Sequence, residues 1–414
     1  MIQFILALLF IFSGYSATAQ WQTLNSGSSE TLLDIHFLTQ DYGATVGEGG
    51  TVLLTEDRGD HWTEIGDLSE GLGSVRVLGI DTIMVAGSNI FDGNVYLTVD
   101  GGANWGNVAS GARLDEAGEQ IFALGYDSLR VSANGGAQWQ GTDPNIGGTL
   151  LMEQIAFAND EVGMIAGNIS GFASYSTYGF RTEDGGANWL QWYVFDFPNA
   201  DAWTTAAFAA MDTVYLFTNE YQFFQPSDMN RLVRMTDFYI EMMNGQSNWR
   251  FTGEVVNEDM PGYIYDAHFF NTSYGFAVSA EGAIFRTGDG GNSWTSNYSG
   301  ADSLRSIFAW SEDLIFVVGA NGRILRHGQV NATKDPQLLT LSLFPNPVKE
   351  AFSLQGISEN NGQLFLFNEL GQLLRREAWQ QGETISVNAL PPGNYQVELR
   401  TSTQRYLGKL AVVK

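Results

Sequence analysis

The chain of 414 residues has no cysteine, only nine prolines and only four histidines. The absence of cysteine excludes disulfide bonds, thiolate metal sites, cysteine nucleophiles and lipid attachment to a cysteine. Lysine is also rare, because Lys334 is the only lysine before Leu341. Phosphate backbones and anionic lipid headgroups are bound by basic surfaces, so we expect no nucleic-acid partner and no membrane-surface partner.

Acidic side chains dominate the charge. There are 46 Asp and Glu against 20 Lys and Arg, and the formal net charge is −26. From Leu341 onward seven basic and six acidic residues give about +1, which leaves −27 on the part before it. An acidic surface of this kind keeps an exported protein soluble, and we interpret the charge in that way rather than as a cation site.

The first residues resemble a targeting segment. An apolar run from Ile2 to Phe12 is followed by small residues, and Ala17 and Ala19 fit a signal-peptidase site. No Lys or Arg precedes the run, which is too short for a persuasive membrane span. We expect a signal peptide over residues 1–19, and a secreted or cell-surface protein that passes through the periplasm without membrane insertion after cleavage.

An eight-residue pattern, Ser/Thr-x-Asp-x-Gly-x-x-Trp, occurs five times. Its acidic or amide residue and its tryptophan are Asp57 and Trp62, Asp100 and Trp105, Asn134 and Trp139, Asp184 and Trp189, and Asp289 and Trp294. In a tight turn an Asp or Asn oxygen accepts a backbone N–H two residues on, and a hydroxyl does so more weakly. Glycine supplies a positive φ, and tryptophan begins the returning strand with a large apolar ring. The pattern therefore predicts structural turns, and not metal loops.

The spacing of the pattern predicts the architecture. Successive tryptophans are 43, 34, 50 and 105 residues apart, and a degenerate copy ending at Trp249 divides the last interval into 60 and 45. Periods near 40–50 residues are typical of propeller blades with four strands each. A seventh unit, Leu304 to Gly328, lacks an outer strand that the segment from Trp21 could supply. We predict an all-β fold with a seven-bladed β-propeller over residues 20–328, with six or eight blades as alternatives.

The octapeptide resembles the Asp-box, or bacterial neuraminidase repeat, of β-propellers. Together with its spacing it is most similar to the proteins related to the photosystem II stability and assembly factor. The resemblance implies a β-propeller whose boxes lie between strands of the blades.

The end of the chain forms a separate pattern. After a predicted linker at residues 329–340, residues 341–414 show short alternating strands typical of a small antiparallel β-sandwich. This segment resembles the type A C-terminal sorting domain of the type IX secretion system. The marks of the resemblance are Pro345, Asn346, Pro347, Gly371, Gly393 and Tyr395. It implies the type IX secretion machinery as a partner, and leaves open whether the tail is cleaved and the protein is anchored or released.

Catalytic motifs are absent from the sequence. A sialidase needs an arginine triad for an anionic sugar, but Arg181, Arg286 and Arg326 each follow an apolar strand residue at repeat-equivalent places, which indicates packing. His36 and His268 also occupy equivalent places, in DIHF and DAHF. No metalloprotease, phosphate-loop or serine-hydrolase motif occurs. We expect no catalytic residue, no cofactor and no metal.

The most irregular segments are the candidates for binding, because binding residues concentrate on loops held by a rigid scaffold. They are residues 168–180 and an insert in the predicted fifth blade, which includes residues 219–230 and 238–246. Their aromatic side chains could form a platform for a sugar or a protein. These candidates are Tyr175, Tyr178, Tyr221, Phe223 and Phe224.

We therefore predict a monomeric, non-enzymatic propeller that binds a protein or glycan ligand. One alternative is a glycan-active enzyme, a sialidase-like hydrolase or a lyase, whose paired carboxylates would meet in a cleft beside an aromatic platform. The other alternative is a structural adhesion component.

Overall fold

The computed structural model describes residues 21–125, 128–142, 151–170, 175–193, 201–222, 225–243, 246–258, 260–328, 339–357, 361–367, 373–388, 390–400 and 405–413. The regular structure of these residues consists of strands, apart from one 3₁₀ turn at Glu48–Gly50. The predicted all-β class is confirmed.

Strands β1 to β28 form seven four-stranded antiparallel units, which are the blades. Blades four and five share one eight-stranded sheet, because their outer strands pair in parallel at Trp192 and Trp249. The strands of blade one are β2 (Leu32–Phe37), β3 (Gly43–Gly47), β4 (Thr51–Thr55) and β5 (Thr63–Asp67), and those of blade two are β6 (Leu72–Gly79), β7 (Thr82–Gly87), β8 (Asn94–Thr98) and β9 (Gly106–Ser110). Blade three has β10 (Arg113–Ala117), β11 (Gln120–Leu124), β12 (Leu129–Ser132) and β13 (Gln140–Thr142), and blade four has β14 (Leu151–Phe157), β15 (Gly163–Ser170), β16 (Tyr175–Thr182) and β17 (Leu190–Tyr193). Blade five has β18 (Asp201–Ala210), β19 (Thr213–Gln222), β20 (Gln225–Met243) and β21 (Gln246–Asn257), and blade six has β22 (Ile264–Phe269), β23 (Gly275–Ser279), β24 (Ala283–Thr287) and β25 (Thr295–Ser299). Blade seven has β26 (Leu304–Ser311), β27 (Leu314–Gly319), β28 (Arg323–His327) and β1 (Trp21–Leu24).

The first strand of the chain completes the last blade. Strand β1 pairs antiparallel with β28, from Trp21 opposite His327 to Leu24 opposite Ile324. The Trp21 indole N–H also donates to the Asn297 side-chain oxygen, at 2.6 Å. The two ends of the propeller are thus joined in one sheet, and the prediction of seven blades is confirmed.

Seven apolar clusters lie between neighbouring blades, one at each interface around the ring. Blades one and two, for example, meet through Val46, Val52, Val75 and Val85. The remaining interfaces have equivalent clusters, including one between blades seven and one. Each sheet is therefore buried on both faces, and hydrophobic burial drives closure of the ring as well as formation of the blades.

Two faces of the ring are distinguished by the connections that they carry. We call one end of the ring the box face. It carries the Asp-boxes and the turns between the first and second strands of the blades. In blade one these two connections are in contact, since the Arg58 N–H of the box donates to the Asp41 carbonyl of the turn. We call the hairpin face the opposite end, where the second strand of each blade joins the third and where one blade leads into the next. There, the Leu68 N–H donates to the Gly50 carbonyl.

The remaining strands form two sheets around their own core. A five-stranded sheet has the order β29-β36-β35-β32-β33 and a three-stranded sheet the order β30-β31-β34. Trp379, Val397 and Leu410 are buried in the shared core. These strands are β29 (Leu339–Thr340), β30 (Ser342–Phe344), β31 (Ala351–Gln355), β32 (Asn361–Phe367), β33 (Leu373–Gln380), β34 (Thr384–Ser386), β35 (Gly393–Arg400) and β36 (Arg405–Val412). Strand β29 lies in the segment predicted as a linker, yet it pairs with Tyr406 and Leu407.

Candidate functional site

The five Asp-boxes have one hydrogen-bonded geometry. The Ser or Thr hydroxyl accepts the N–H of the box glycine four residues on, at 2.8–2.9 Å, in every copy. The same hydroxyl donates to the Asp or Asn oxygen at 2.8–3.0 Å. That oxygen in turn accepts a backbone N–H at 2.8–2.9 Å. Since only one acceptor oxygen is needed for the last two bonds, Asn134 can replace an aspartate.

The expected reach of the box aspartate was wrong. Asp57 accepts the backbone N–H of His61, four residues on, instead of an N–H two residues on. Two consecutive residues with positive φ, Arg58 and Gly59 in the first box, turn the chain back and present this N–H to the carboxylate. The box is therefore a longer turn than a simple Asx-turn.

Each box also packs against the preceding blade. A Cβ added at Gly102 would lie 2.5 Å from the Ile65 carbonyl oxygen of blade one, and one at Gly186 would lie 2.7 Å from the Phe122 ring of blade three. The Trp105 indole N–H donates to the same Ile65 carbonyl, at 3.3 Å. The box glycine and tryptophan therefore hold blades together, which is a structural role.

The degenerate box of blade five does not form this turn. Met235 occupies the place of the hydroxyl residue and is fully buried. Strand β20 instead runs on through Asp237, with a register shift between Thr236 and Tyr239, and pairs with β21 up to Met243 opposite Gln246. The result is a β-hairpin on the box face whose Tyr239, at 55%, is one of several exposed apolar side chains.

A cavity of about 940 Å³ follows the axis of the ring. Its lining comes largely from the first strands of the blades, and it extends from Ser88, which follows β7, to Met211, which follows β18. Charged residues of both signs line it, including Arg76, Asp115 and Arg305. A cavity of this size is a concave candidate for a site.

Polar side chains of the first strands connect neighbouring blades inside this cavity. Each accepts a backbone N–H of the next or a nearby first strand. The bonds are Val75 N–H to Asp34 at 2.9 Å, Leu114 N–H to Ser74 at 3.1 Å, Ala206 N–H to Gln154 at 2.8 Å and Ile307 N–H to Asp266 at 2.9 Å. The repeated position indicates that these groups hold the inner ring together, and the sequence analysis did not identify them. The aspartates of the aligned DIHF and DAHF segments were the available signal.

Asp34 and Asp266 lie on either side of the Ser306 hydroxyl. The Ser306 oxygen is 3.2 Å from one Asp34 carboxylate oxygen and 3.0 Å from one of Asp266. Burial, and then the negative charge of Asp34, raise the pKa of Asp266 to about 7, although the Ile307 N–H and the Ser306 hydroxyl oppose the shift. A single hydroxyl proton cannot serve both carboxylates, so a proton on Asp266 completes the arrangement.

The remaining charged and imidazole groups of the inner strands are also used in packing. Arg76 lies 3.0 Å from Asp115 and 3.6 Å from Asp34, which links blades one, two and three. Burial, and then the charge of Arg76, lower the pKa of His36 to about 3, and its Nδ1 accepts the Val77 N–H at 3.1 Å. Burial lowers the pKa of His268 to about 4. Both imidazoles are therefore neutral near pH 7.

Two of the three repeat-equivalent arginines are buried, whereas the third, Arg286, is exposed. Arg326 is 2% exposed and donates to the Arg58 carbonyl at 2.7 Å, to Asp60 and to Gln22. Arg181 is also buried and lies over the Phe238 ring, at 4.3 Å. Arg286 lies over the Tyr274 ring, at 4.8 Å. These three arginines belong to blades four, six and seven, and none of them lines the central cavity.

The predicted aromatic platform falls on two neighbouring hairpins. Tyr175 and Tyr178 belong to β16, and Tyr221 belongs to β19, where it pairs with Pro226. Phe223 and Phe224 lie outside the described residues. Strand topology directs both hairpins, β15–β16 and β19–β20, toward the hairpin face, so their ends are on the same side of the ring. That these aromatics bind a ligand stays a prediction.

The predicted sorting motifs lie at the edge of the five-stranded sheet. Asn346 donates to the Lys409 carbonyl at 2.6 Å and accepts the Ala411 N–H at 2.9 Å. Gly393 pairs with Val412, and the Tyr395 hydroxyl donates to the Pro391 carbonyl at 2.7 Å. Pro345 and Pro347 are exposed, and Gly371 lies outside the described residues.

Two further kinds of site are absent from the described residues. No group of three His, Cys, Asp or Glu side chains is placed to hold a metal ion there. The described segments also contain no helix with the length and apolarity needed to cross a membrane.

The fold and the boxes define an Asp-box β-propeller followed by a small β-sandwich. Residues 14–148 match the family model described as Photosynthesis system II assembly factor YCF48. Residues 342–413 match the Secretion system C-terminal sorting domain. The chain therefore carries a YCF48-type repeat region and a C-terminal sorting domain, as the motifs of the sequence indicated.

Similar proteins cover about three quarters of the chain. Photosystem II assembly lipoprotein Ycf48 of Synechococcus sp. (strain CC9902) is 23% identical over 319 residues, which are 75% of this chain and 89% of that protein. The solved structure of YCF48 from Cyanidioschyzon merolae is 19% identical with a TM-score of 0.57, over 75% of this chain and 99% of that one. YCF48 bound to D1 peptide is 18% identical with a TM-score of 0.54, over 75% and 95%. The likeness to these structures shows a shared propeller fold.

Proposed function

We propose that this protein is an exported, non-enzymatic propeller that binds a segment of another protein across the hairpin face of blades four and five. The sorting domain at its end supports export by a type IX secretion system to the cell surface or the medium. The observation that carries the binding proposal is the unusual length of the strands in these two blades.

The second and third strands of blades four and five are longer than their equivalents. Strands β15 and β16 have eight residues each and β19 has ten, whereas the second and third strands of the other blades have four to six. The extra pairs lie at the hairpin-face end, because Ser170 pairs with Tyr175 and Gln222 pairs with Gln225. Two adjacent extended hairpins on a rigid ring form a surface suited to a partner protein.

A relative with the same fold supports a protein ligand over a glycan. YCF48 bound to D1 peptide is one of the solved structures that share the propeller fold. An extended peptide can pair with exposed backbone of a hairpin and place its side chains against aromatic rings. Three tyrosines, Tyr175, Tyr178 and Tyr221, belong to strands of these two hairpins and are the residues proposed to meet such a peptide.

The test is binding by the full mature chain to an array of peptides tiled from cell-surface proteins, with glycans on the same array. We expect peptide binding that a Tyr175→Ala, Tyr221→Ala double variant loses. Tyr239→Ala is the matched control, because Tyr239 is an exposed aromatic on the box face. Binding that survives the double variant, or that only the control variant loses, would contradict the proposed surface.

A second candidate function rests on the Asp34–Ser306–Asp266 group. Two nearby carboxylates, one of them with a raised pKa, are the arrangement that glycoside hydrolases use, and Tyr263 and Tyr265 line the same cavity. Ser74 and Gln154 make the same inter-blade hydrogen bonds at equivalent positions, which favours a structural role over a catalytic one for Asp34 and Asp266. Release of reducing sugars from glycans by the wild-type protein, abolished in Asp266→Asn, would instead establish the enzyme.

A further inference from the structure

The hairpin of blade five on the box face has one edge without a neighbouring strand. Strand β20 pairs with β19 as far as Met235, which lies opposite Val214, and it then continues to Met243. From Tyr239 to Met243 it pairs with β21 alone among the described residues. The backbone N–H and C=O groups that point to the other edge of this part are therefore open to a further strand.

The hairpin is fixed to the ring at its base. The Phe238 ring packs against Phe251, with ring centres 5.7 Å apart, and the buried Arg181 lies over the same ring at 4.3 Å. Strand β21 also pairs with β17 of blade four. Across the two strands of the hairpin, Arg250 donates to Glu241 at 2.7 Å. A partner would therefore meet a preformed strand, which loses little conformational entropy on binding.

The open part of β20 has little of the protection that edge strands usually carry. Ile240 is 53% exposed and Met242 is 65% exposed, and Tyr239 on the opposite face of the strand is exposed as well. Charged side chains and proline normally keep an edge strand from pairing with another chain. Here Glu241 is the only charged residue, and Arg250 pairs with it. An open edge with exposed apolar side chains is the surface to which a partner can add a strand.

The charge beside this open edge is negative. Asp212 directly precedes β19, and Asp237 lies two residues after the last pair of β20 with β19. Both are exposed, and among the described residues their carboxylates bond only to the neighbouring Thr213 and Thr236 hydroxyls. These aspartates favour a partner with basic residues, whereas a second copy of this chain would bring the same aspartates to the edge and be repelled.

We propose that the edge of β20 from Tyr239 to Met243 is a docking site, where a folded protein with a basic edge strand adds that strand to blade five. Ile240 and Met242 contact the partner, and Asp212 and Asp237 attract its lysine or arginine side chains. The partner presents a preformed strand, because an unstructured peptide would pay the full cost of ordering its backbone for the few pairs that this edge offers. The site lies on the face of the ring opposite to the peptide-binding surface of blades four and five and does not depend on it.

The experiment measures binding of the full mature chain to three cyclic β-hairpin peptides, which stand in for the edge strand of the partner. The first alternates lysine and valine on its outer strand, the second has glutamate in place of lysine, and the third is the first with N-methyl groups on the outer amides. We expect only the first to bind, because the second is repelled and the third cannot donate hydrogen bonds to β20.

Variants of the protein locate the site of this binding. Ile240→Ala together with Met242→Ala should weaken binding of the lysine hairpin roughly tenfold, because two apolar contacts are lost. Asp212→Asn together with Asp237→Asn should weaken it as well, and this pair tests the site even if the first pair unfolds. The matched control is Phe91→Ala, which removes an exposed apolar side chain on the hairpin face and should leave binding unchanged.

Each outcome bears on one part of the proposal. A lysine hairpin that fails to bind wild type would overturn the docking site, and equal binding of the N-methylated hairpin would overturn strand addition. Equal binding of the glutamate hairpin would overturn the basic partner. A wild-type dimer in light scattering that Ile240→Ala, Met242→Ala loses would show that a second copy occupies the edge instead. The Tyr175→Ala, Tyr221→Ala variant should bind the lysine hairpin normally, so this site and the surface on the hairpin face are tested independently.

Discussion

At the scale of single residues, the hydroxyl of each Asp-box organises the turn. In blade four the Thr182 oxygen accepts the Gly186 N–H and donates to Asp184, and this bond orients the carboxylate toward the Asn188 N–H. In blade five Met235 takes the place of the hydroxyl residue, and the turn is absent although Asp237 remains. The aspartate alone therefore does not form the box.

Thr182→Val should consequently destabilise the protein. Valine keeps the volume of the buried side chain but leaves the buried Gly186 N–H without its acceptor, a change that costs about 1–3 kcal/mol. Urea unfolding monitored by tryptophan fluorescence would show this as a lower midpoint with an unchanged slope. Asn188→Ala is the control in the same box, because its exposed side chain only donates to Asp184, and its effect should be well below that of Thr182→Val.

The raised pKa of Asp266 predicts that the stability of the protein depends on pH. The folded-state pKa of Asp266 is about 7, above its ordinary value, so the folded protein binds more protons than the unfolded chain between about pH 4 and pH 7. The contribution of this group to stability is therefore fully present in acid and is lost as the pH rises through 7. Asp266→Asn should remove it, since an amide carries no such proton.

This prediction is checked by the free energy of unfolding of both proteins from pH 4.5 to pH 8. The difference between wild type and Asp266→Asn should shrink as the pH rises, by about 1.4 kcal/mol for each pKa unit that separates the two states. Groups that titrate equally in both proteins do not contribute to this difference in the free energy of unfolding. They include the box aspartates, whose lowered pKa values affect stability at lower pH. A difference in the free energy of unfolding that stays constant across this pH range would contradict the raised pKa of Asp266 in the folded protein.

The residue-scale contacts could be predicted only where they are local in sequence. The box bonds join residues two to four apart, and the sequence indicated them, apart from the reach of the aspartate. The bond from Val75 to Asp34 joins residues 41 apart, and the one from Ser306 to Asp34 joins residues 272 apart. Such pairs depend on the radius and twist of the assembled ring, which no local pattern encodes.

At the scale of elements, β1 has an effect beyond its four residues. It covers the edge of β28, which would otherwise present unpaired backbone groups to solvent. Trp21 adds side-chain packing against Phe276 and His327, with ring centres 6.4 Å and 5.1 Å away. The similarity of the segment after Trp21 to segments that follow other boxes made this pairing predictable.

Removal of β1 should therefore open the ring. A chain without residues 21–24 would expose the edge of β28 and lose one strand of the interface between blades seven and one. We expect a lower midpoint of thermal unfolding, and self-association in light scattering through the free edge. Deletion of the β20–β21 tip, residues 239–247, is the control, because that hairpin projects from the box face and closes no interface. Unchanged stability without β1 would contradict closure by this strand.

Element boundaries in blade five could not be predicted, for a physical reason. The sequence pattern marked a box interrupted by an insert, because Asp237 and Trp249 remain in place. With the hydroxyl replaced by Met235, however, no bond ends the strand, and a run of β-forming residues continues it to Met243. The sequence pattern shows that Asp237 and Trp249 of the box are present. The strand, however, ends at a box only where all the side chains that form the turn are present, including the hydroxyl.

At the scale of the whole molecule, two effects oppose each other: burial at seven similar interfaces closes the ring, and repulsion between negative charges opposes its closure. The apolar cluster at each interface stabilises the closed ring. The part of the chain before Leu341 has a formal net charge of −27, and its excess carboxylates repel one another across the ring. The blade count was predictable because a box or its degenerate copy marks six of the seven blades, at intervals of 34 to 60 residues. The balance between hydrophobic burial and charge repulsion depends on the assembled ring, so no local sequence pattern predicts it.

This balance predicts that salt stabilises the protein at neutral pH. Raising NaCl from 0.01 M to 0.3 M shortens the Debye length from about 30 Å to below 10 Å and so screens repulsion between exposed carboxylates. Partly buried pairs such as Arg76 with Asp115 are screened less than exposed ones. We expect the midpoint of thermal unfolding at pH 7 to rise by several degrees, and the rise to vanish near pH 4.3, where the net charge is about zero. Calorimetry at the two pH values provides the measurement, and a midpoint at pH 7 that falls or stays constant with salt would show that surface ion pairs, rather than net repulsion, govern the stability of the ring.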